Sequence, residues 1–342
     1  MIKGVATSRS SSRRLTLRRM MTGHWVTQAI YVAAKLGIAD LLVKGPLSCE
    51  DLAARTRTHE RSLHRVLRAL ASIGIFSEVT ARHFANTPLA NLLRSEAPDS
   101  MRALAILYAE ESYRAWGDML YSVRTGQSAF GHQFGMGVFE FFAKNPEAAT
   151  VFNAAMTGLM IQTADAVAGS YDFSAFQTVV DVGGNQGTLL AAILKSYPSV
   201  WGMLFDLPHV VAIAGPVLTS AGGEHRCALR GGDFFDRIPA GGDACVLASV
   251  LHDWDDDRCS AILRGCRQVM PRGGKLLIVE MVLPPGNEPF FGKWVDLHML
   301  VMANGFERTA EDYATLLRAA GFELVRLVPT SAGRSILEAV PA

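Results

Sequence analysis

No run of apolar residues in this 342-residue chain approaches the roughly 18 needed to span a bilayer, so nothing in it reads as a membrane segment. Cysteine is scarce too. The five present, Cys49, Cys227, Cys245, Cys259 and Cys266, form no C-x-x-C pair and no Cys/His grouping at metal-ligand spacing. That argues against a disulfide framework and a structural metal, and it fits reduced thiols in a cytoplasmic protein. Net charge is nearly absent: 33 Lys and Arg against 32 Asp and Glu leave +1, which implies no bulk polyanion partner. The amino-terminal segment has no apolar core followed by a small-residue cleavage site, so it does not read as a secretory signal. Repeats are missing throughout, and low-complexity sequence is missing after residue 19.

The charge that exists is unevenly spread. Residues 1–100 hold 15 Lys and Arg and 7 Asp and Glu, which leaves the other 242 residues net acidic. Much of the basic excess lies in Arg9, Arg13, Arg14, Arg18 and Arg19, in a Ser/Arg-rich segment 1–19 that is expected to be disordered.

The most informative stretch is Val179-Val180-Asp181-Val182-Gly183-Gly184-Asn185-Gln186-Gly187. A β-branched run ends in an acid, breaks into a glycine-rich turn, and continues into the helical composition of Thr188–Leu194. Strand, tight turn and helix in that order place backbone N–H groups at the ligand-binding edge of an open α/β sheet. The glycines do not keep the dinucleotide spacing, and Asp181 would repel a pyrophosphate but attract a cationic ligand.

Around this motif the chain divides into two halves. Apolar residues at helical spacing from Trp25 to Leu42 predict a helix that Gly45-Pro46 ends. Ser48 is positioned to cap a short helix through Ala53, and Thr58 a second one that continues through Leu70 and stops at Gly74. Two short strands, Ile75–Val79 and His83–Asn86, complete a winged-helix pattern. Its helix from Glu60 to Leu70 carries Arg61, His64, Arg65 and Arg68, which fits a DNA-recognition helix or the solvated face of an amphipathic one. Residues 101–168 read as mostly helical. Strands are then expected at Thr178–Val182, Gly202–Phe205, Cys227–Leu229, Ala244–Ser249 and Lys275–Val279. A terminal hairpin, Glu323–Val328 with Arg334–Val340, puts an antiparallel strand beside parallel ones.

Acids stand at successive carboxyl ends of these strands. Asp206, in Phe205-Asp206-Leu207-Pro208, is placed to accept from ribose hydroxyls. Asp233, in Gly232-Asp233-Phe234-Phe235, can accept from an exocyclic amine while Phe234 packs on a purine face. The fourth strand delivers His252, placed for proton transfer. Glu280 at the end of the fifth strand can orient it, and Glu307 is a second candidate, although Glu307-Arg308 also fits a surface ion pair. His298 is an alternative base.

Asp181-Val182-Gly183-Gly184, Phe205-Asp206-Leu207-Pro208, Gly232-Asp233-Phe234-Phe235, Leu251-His252-Asp253-Trp254, Gly273-Gly274-Lys275-Leu276-Leu277 and Glu307-Arg308-Thr309 occur in this order. Over residues 20–340 the chain thereby resembles the S-adenosylmethionine-dependent O-methyltransferases of the caffeic-acid and hydroxyindole type, including bacterial natural-product tailoring enzymes. The resemblance implies a Rossmann-like seven-stranded α/β sheet with a terminal antiparallel hairpin over residues 101–342, including a helical linker 101–168. A winged-helix domain at 20–100 would precede it and dimerise rather than bind DNA. It further implies that Asp181, Gly183, Asp206, Leu207, Asp233, Phe234 and Ser249 hold S-adenosylmethionine. His252 would be the general base, flanked by Glu280 and Glu307. Met156, Met160, Asp253, His298, Met299 and Met302 would line the pocket of a small aromatic hydroxyl-bearing acceptor, with no metal, nucleic acid or membrane involved. The sequence departs from the family pattern at Asn185, where a third glycine is usual, and at Ala248, where plant members have lysine. N-methylation, or an S-adenosylmethionine-binding hydroxylase or decarboxylase on the same fold, remains an alternative, as does a winged-helix regulator.

Overall fold

The structure, a computed structural model, describes residues 9–342. The described chain forms two compact units, which meet in sequence at Glu110 and Glu111.

The first unit is largely helical. Arg9–Met21 is a helix, where disorder was expected. No glycine or proline interrupts it, and its Arg, Leu and Met residues are good helix formers. The remainder of the expected disordered segment lies outside the described residues. The helix expected from Trp25 to Leu42 is two helices, Gly23–Lys35 and Ile38–Leu41, because Gly37 takes a left-handed φ of 65° between them. Ser48 caps Cys49–Thr56 by accepting the Asp51 N–H. Thr58 does not cap the next helix, Glu60–Ala71. His59 occupies the cap position, and the Thr58 hydroxyl instead meets that of Thr56 at 2.9 Å. That helix buries Leu63, Leu67 and Leu70 and leaves Arg61, Arg65 and Arg68 exposed, so its charges are the outer face of an amphipathic helix. The wing has three strands, β1 (Leu47–Ser48), β2 (Phe76–Thr80) and β3 (His83–Asn86), all antiparallel in the order β1-β3-β2. The helix Arg102–Ala109 packs on Gly23–Lys35 within this unit, not in the second domain where the sequence reading put it.

The second unit opens with short helices and the long helix Pro146–Ser170. It then builds one seven-stranded sheet from β4 (Thr178–Val182), β5 (Trp201–Asp206), β6 (Cys227–Gly231), β7 (Ala244–Ala248), β8 (Lys275–Glu280), β9 (Phe322–Pro329) and β10 (Ser335–Pro341). The order is β6-β5-β4-β7-β8-β10-β9, with β10 antiparallel to both of its neighbours and the first five strands parallel. Central strands of such a sheet are covered on both faces and read as continuous apolar runs. β7 is buried at all five positions and β8 at five of six. One core packs Leu247, Ile262, Leu276, Leu317 and Phe322, and the other packs Val179, Leu190, Val246 and Ile336. The order of connections reverses between β4 and β7, and at such a switch point the carboxyl ends of the strands open a crevice for ligands.

Candidate active site

Three strand ends converge at that crevice. After β4 the chain turns at Gly183 (φ 72°), Asn185 (φ 51°) and Gly187 (φ 81°) before the helix Thr188–Ser196. Asn185, which stands where a third glycine is usual, takes a left-handed φ, a conformation that Asn tolerates better than most residues. The turn is pinned to β5: the Gly183 N–H donates to the Phe205 carbonyl at 2.8 Å, and the Asn185 N–H donates to Asp206 Oδ2 at 2.8 Å. Asp206 Oδ1 accepts from the Leu207 N–H at 2.7 Å. Burial pushes the Asp206 carboxyl up, against these two backbone bonds. A side chain on Gly183 would meet Val250 Cγ2 at 2.9 Å and Phe234 Cε1 at 3.5 Å, so the ends of β4, β6 and β7 meet around this residue. Asp233 is exposed, with its Oδ1 accepting the Phe235 N–H. Leu207 is also exposed, and Ser249, at φ 55°, accepts a hydrogen bond from Arg334 Nε.

Asp181 lies in β4, two residues before Gly183. It is 1% exposed, and neither carboxylate oxygen has a hydrogen-bond partner. Burial first, then the Asp206 charge, push its pKa up to about 7. A buried carboxylate without a donor is costly unless a cation or donor arrives to meet it. Gly184 presses on this carboxyl so closely that any side chain there would lie 2.5 Å from it.

His252 lies in a 3₁₀ turn, Leu251–Asp253, just beyond β7. Its Nδ1 is 2.8 Å from Glu307 Oε1 and 3.6 Å from Glu280 Oε2, and its Nε2 is 3.7 Å from Asp253 Oδ1. An Nδ1–H donated to Glu307 leaves Nε2 as the nitrogen that can take or give a proton. Burial pulls the imidazole pKa down, but Glu280, Asp253 and Glu307 together outweigh it and raise the value to about 10. Burial raises Glu280 to about 7. Glu280 Oε1 also accepts the N–H groups of Val250 and Leu251 at 2.9 and 3.0 Å. The donors of His252, Glu280 and Glu307 lie within 4.8 Å of one another, close enough for a metal geometrically, yet they already serve each other and the turn.

His298 sits differently. The Trp116 indole N–H donates to its Nδ1 at 2.9 Å, and burial followed by the His252 charge lowers its pKa to about 4. Asp253 and Met302 line a cavity of about 640 Å³, together with Trp254, Phe139, Tyr121 and His132. Phe139 stacks on Trp254, and Tyr121 on His132. Met299 is buried, Met156 is half-buried, and Met160 packs against the core that contains Ala248 and Val279.

The sequence left Glu307 open between a support for His252 and half of a surface ion pair, and the second alternative fails at Arg308. Arg308 is 1% exposed and pairs with Asp256 at 2.7 Å, so Glu307-Arg308 is not a surface ion pair. Sequence reasoning also passed over Gly305, Val250 and Trp116. Asn304-Gly305 carried a turn signal, but the contact made by Gly305 lies some fifty residues away in sequence.

Residues 116–323 match the O-methyltransferase domain family, and residues 19–96 match the O-methyltransferase dimerisation domain. The chain belongs to the S-adenosylmethionine-dependent O-methyltransferase family. The methyltransferase is 55% identical over 325 residues to phenazine O-methyltransferase PhzM of Lysobacter antibioticus, covering 95% of each chain. The crystal structure of LaPhzM superposes with a TM-score of 0.94, covering 96% of this chain and 99% of that one. Human N-acetylserotonin methyltransferase in complex with S-adenosylmethionine, 28% identical, superposes with a TM-score of 0.90 and covers 99% and 100%. Other relatives carry N-methyltransferase names. This methyltransferase is a natural-product tailoring type of enzyme that uses S-adenosylmethionine. Among the described residues, no helix is long and apolar enough to cross a membrane.

Proposed function

We propose that the enzyme methylates a hydroxyl oxygen of a small, flat aromatic or polyketide-like natural product, with His252 as general base. The observation that carries this reading is the buried 2.8 Å contact between His252 Nδ1 and Glu307, which leaves Nε2 3.7 Å from Asp253 Oδ1, and Asp253 lines the aromatic cavity. S-adenosylmethionine supplies the methyl group on a cationic sulfur. Asp206, with Leu207 beside it, is assigned to the ribose. Asp233 and Phe234 are assigned to the adenine, and Asp181, Gly183 and Ser249 to the cationic end.

A phenol has a pKa of about 10 and is a poor nucleophile while protonated. His252 Nε2 accepts its proton as the oxygen attacks, a contribution on the order of 10²–10⁴-fold. Glu307 holds the ring in the Nδ1–H tautomer. The three carboxylates around the imidazole raise its pKa to about 10. A second positive charge in the pocket competes for their field and lowers its pKa. His298, whose Nδ1 lone pair is occupied by Trp116, is less suited to be the base and is assigned with Met156, Met160, Asp253, Met299 and Met302 to the acceptor pocket. Stacked rings around the cavity favour a planar acceptor, and the 55% identical phenazine O-methyltransferase makes a monohydroxyphenazine the first to test. The first unit, with Trp25 and Met21 exposed, is assigned to homodimerisation.

The test is incubation of a monohydroxyphenazine with methyl-labelled S-adenosylmethionine. S-adenosylhomocysteine and a product bearing the label on oxygen support the reading. Label on a ring nitrogen favours the N-methyltransferase alternative. Oxygen uptake or carbon dioxide release without S-adenosylhomocysteine refutes methyl transfer on this acceptor.

A further inference from the structure

We propose that Arg308 is a positioning residue for the proposed base: its guanidinium clamps the backbone on both sides of His252 and so fixes the imidazole against Glu307. The inference rests on His252 and Glu307 acting as proposed above.

The turn that carries His252 is weakly held by itself. Its own bonds, Asp253 N–H to the Val250 carbonyl and Trp254 N–H to the Leu251 carbonyl, are both 3.3 Å long. Outside groups compensate. On the amino side, Glu280 Oε1 accepts the N–H groups of Val250 and Leu251. On the carboxyl side, Arg308 Nη1 donates to the Leu251 carbonyl and Nη2 to the Trp254 carbonyl, each at 2.9 Å. These carbonyls bracket His252 and Asp253. Nη2 and Nε also donate to Asp256 Oδ1, at 2.7 and 3.1 Å, where the following helix Asp256–Val269 begins.

The same residue ties the turn to Glu307. Glu307 is its chain neighbour, and the Arg308 carbonyl accepts the Leu283 N–H at 2.9 Å, three residues past Glu280. The guanidinium stacks on Phe306, 4.0 Å from the ring centre. The Arg308 side chain therefore holds the turn carrying His252 to the loop carrying Glu307, and its backbone carbonyl holds that loop to the segment that follows β8 and Glu280. Gly305 closes the arrangement from above: a Cβ there would lie 1.9 Å from the His252 carbonyl oxygen. A planar fork with five donors can reach two carbonyls and a carboxylate at once, and a lysine ammonium cannot.

The experiment compares Arg308→Lys and Arg308→Gly, the latter with and without methylguanidinium, against the wild type. Turnover is read on a monohydroxyphenazine, S-adenosylmethionine affinity by calorimetry, and His252 by ¹⁵N-histidine NMR. The groups facing that imidazole are Glu280, Glu307, Asp253 and His298. For Arg308→Lys the expected result is a loss of ~10²-fold in kcat, the cost of a displacement of about 1 Å. KM and cofactor affinity should stay within about threefold, the scale on which binding is kept while geometry is lost. The NMR titration of His252 should move towards its ordinary range, and methylguanidinium should restore kcat to Arg308→Gly. Wild-type kcat in Arg308→Lys, or an unmoved His252 titration, overturns the proposal. So does a kcat loss matched by an equal loss of cofactor affinity in both variants with methylguanidinium present. The NMR arm needs no acceptor, so a wild type inactive on the phenazine rules out that acceptor while the positioning claim is still decided.

Discussion

Gly305→Ala is the sharpest perturbation of the site that adds only one carbon. The new Cβ would stand 1.9 Å from the His252 carbonyl oxygen and 2.7 and 2.8 Å from the Asp253 carbonyl carbon and Cα. All three are backbone atoms, so no side chain can rotate aside. The loop and the turn must separate by about 1.1 Å before the closest contact reaches even 3.0 Å, the tight edge of real Cβ contacts. Overpacking of this kind costs ~1–3 kcal/mol of stability, a fall of several degrees in Tm for a unit of this size. The larger effect falls on chemistry, because the movement is directed along the line joining His252 to the loop that carries Glu307. A misplacement of about 1 Å lowers turnover on the order of 10²-fold. Cofactor affinity should hold within about threefold, since Asp181, Gly183 and Asp206 lie on other strands and the loss is one of geometry rather than binding. Steady-state kinetics and calorimetry on the same preparation measure both. A variant with kcat within threefold of wild type would show that the turn's placement does not limit the reaction.

Glu280→Gln keeps an oxygen for the Val250 and Leu251 N–H groups and puts an NH₂ in place of Glu280 Oε2, which is buried without a partner. Burial raises the Glu280 pKa from 4.5 to about 7, so its stabilising contribution is full below 4.5 and is lost as pH rises through 7. The Tm of Glu280→Gln relative to wild type should therefore climb between pH 4.5 and 7 and level off above 7, and a flat difference over that range would contradict this. Asp181, also raised to about 7, should release close to one proton when a cation binds at pH 6 and little at pH 8.5. Calorimetry in two buffers of different ionisation enthalpy reads that proton, and Asp181→Asn should abolish it and weaken affinity. An unchanged proton count in the variant would remove Asp181 from the cationic end of the site.

The sheet was legible because its signals are local. A β-branched run, an acid and three glycines announce β4 and its turn, and the hairpin β9–β10 lies within one residue of where the apolar alternation puts it. His252 and Glu280 were legible for the same reason, each at the end of an apolar strand. What failed was long-range or context-bound. An arginine after a glutamate looks like a solvated pair, and only the fold shows that two backbone carbonyls and Asp256 draw Arg308 inside. Gly305 looks like an ordinary turn residue, because its reason for being glycine is a carbonyl fifty positions earlier. Trp116 revealed nothing of its bond to His298. In the first unit, a Ser/Arg-rich composition concealed a segment without breakers that forms the helix Arg9–Met21.

The central claim is that His252 takes the proton from a hydroxyl as that oxygen is methylated. The most direct measurement is single-turnover methyl transfer by His252→Ala, from saturating S-adenosylmethionine to a monohydroxyphenazine. A rate lower by ~10²–10⁴-fold is predicted, with cofactor affinity nearly intact and a smaller loss for His298→Ala. Near-normal transfer by His252→Ala would contradict the claim.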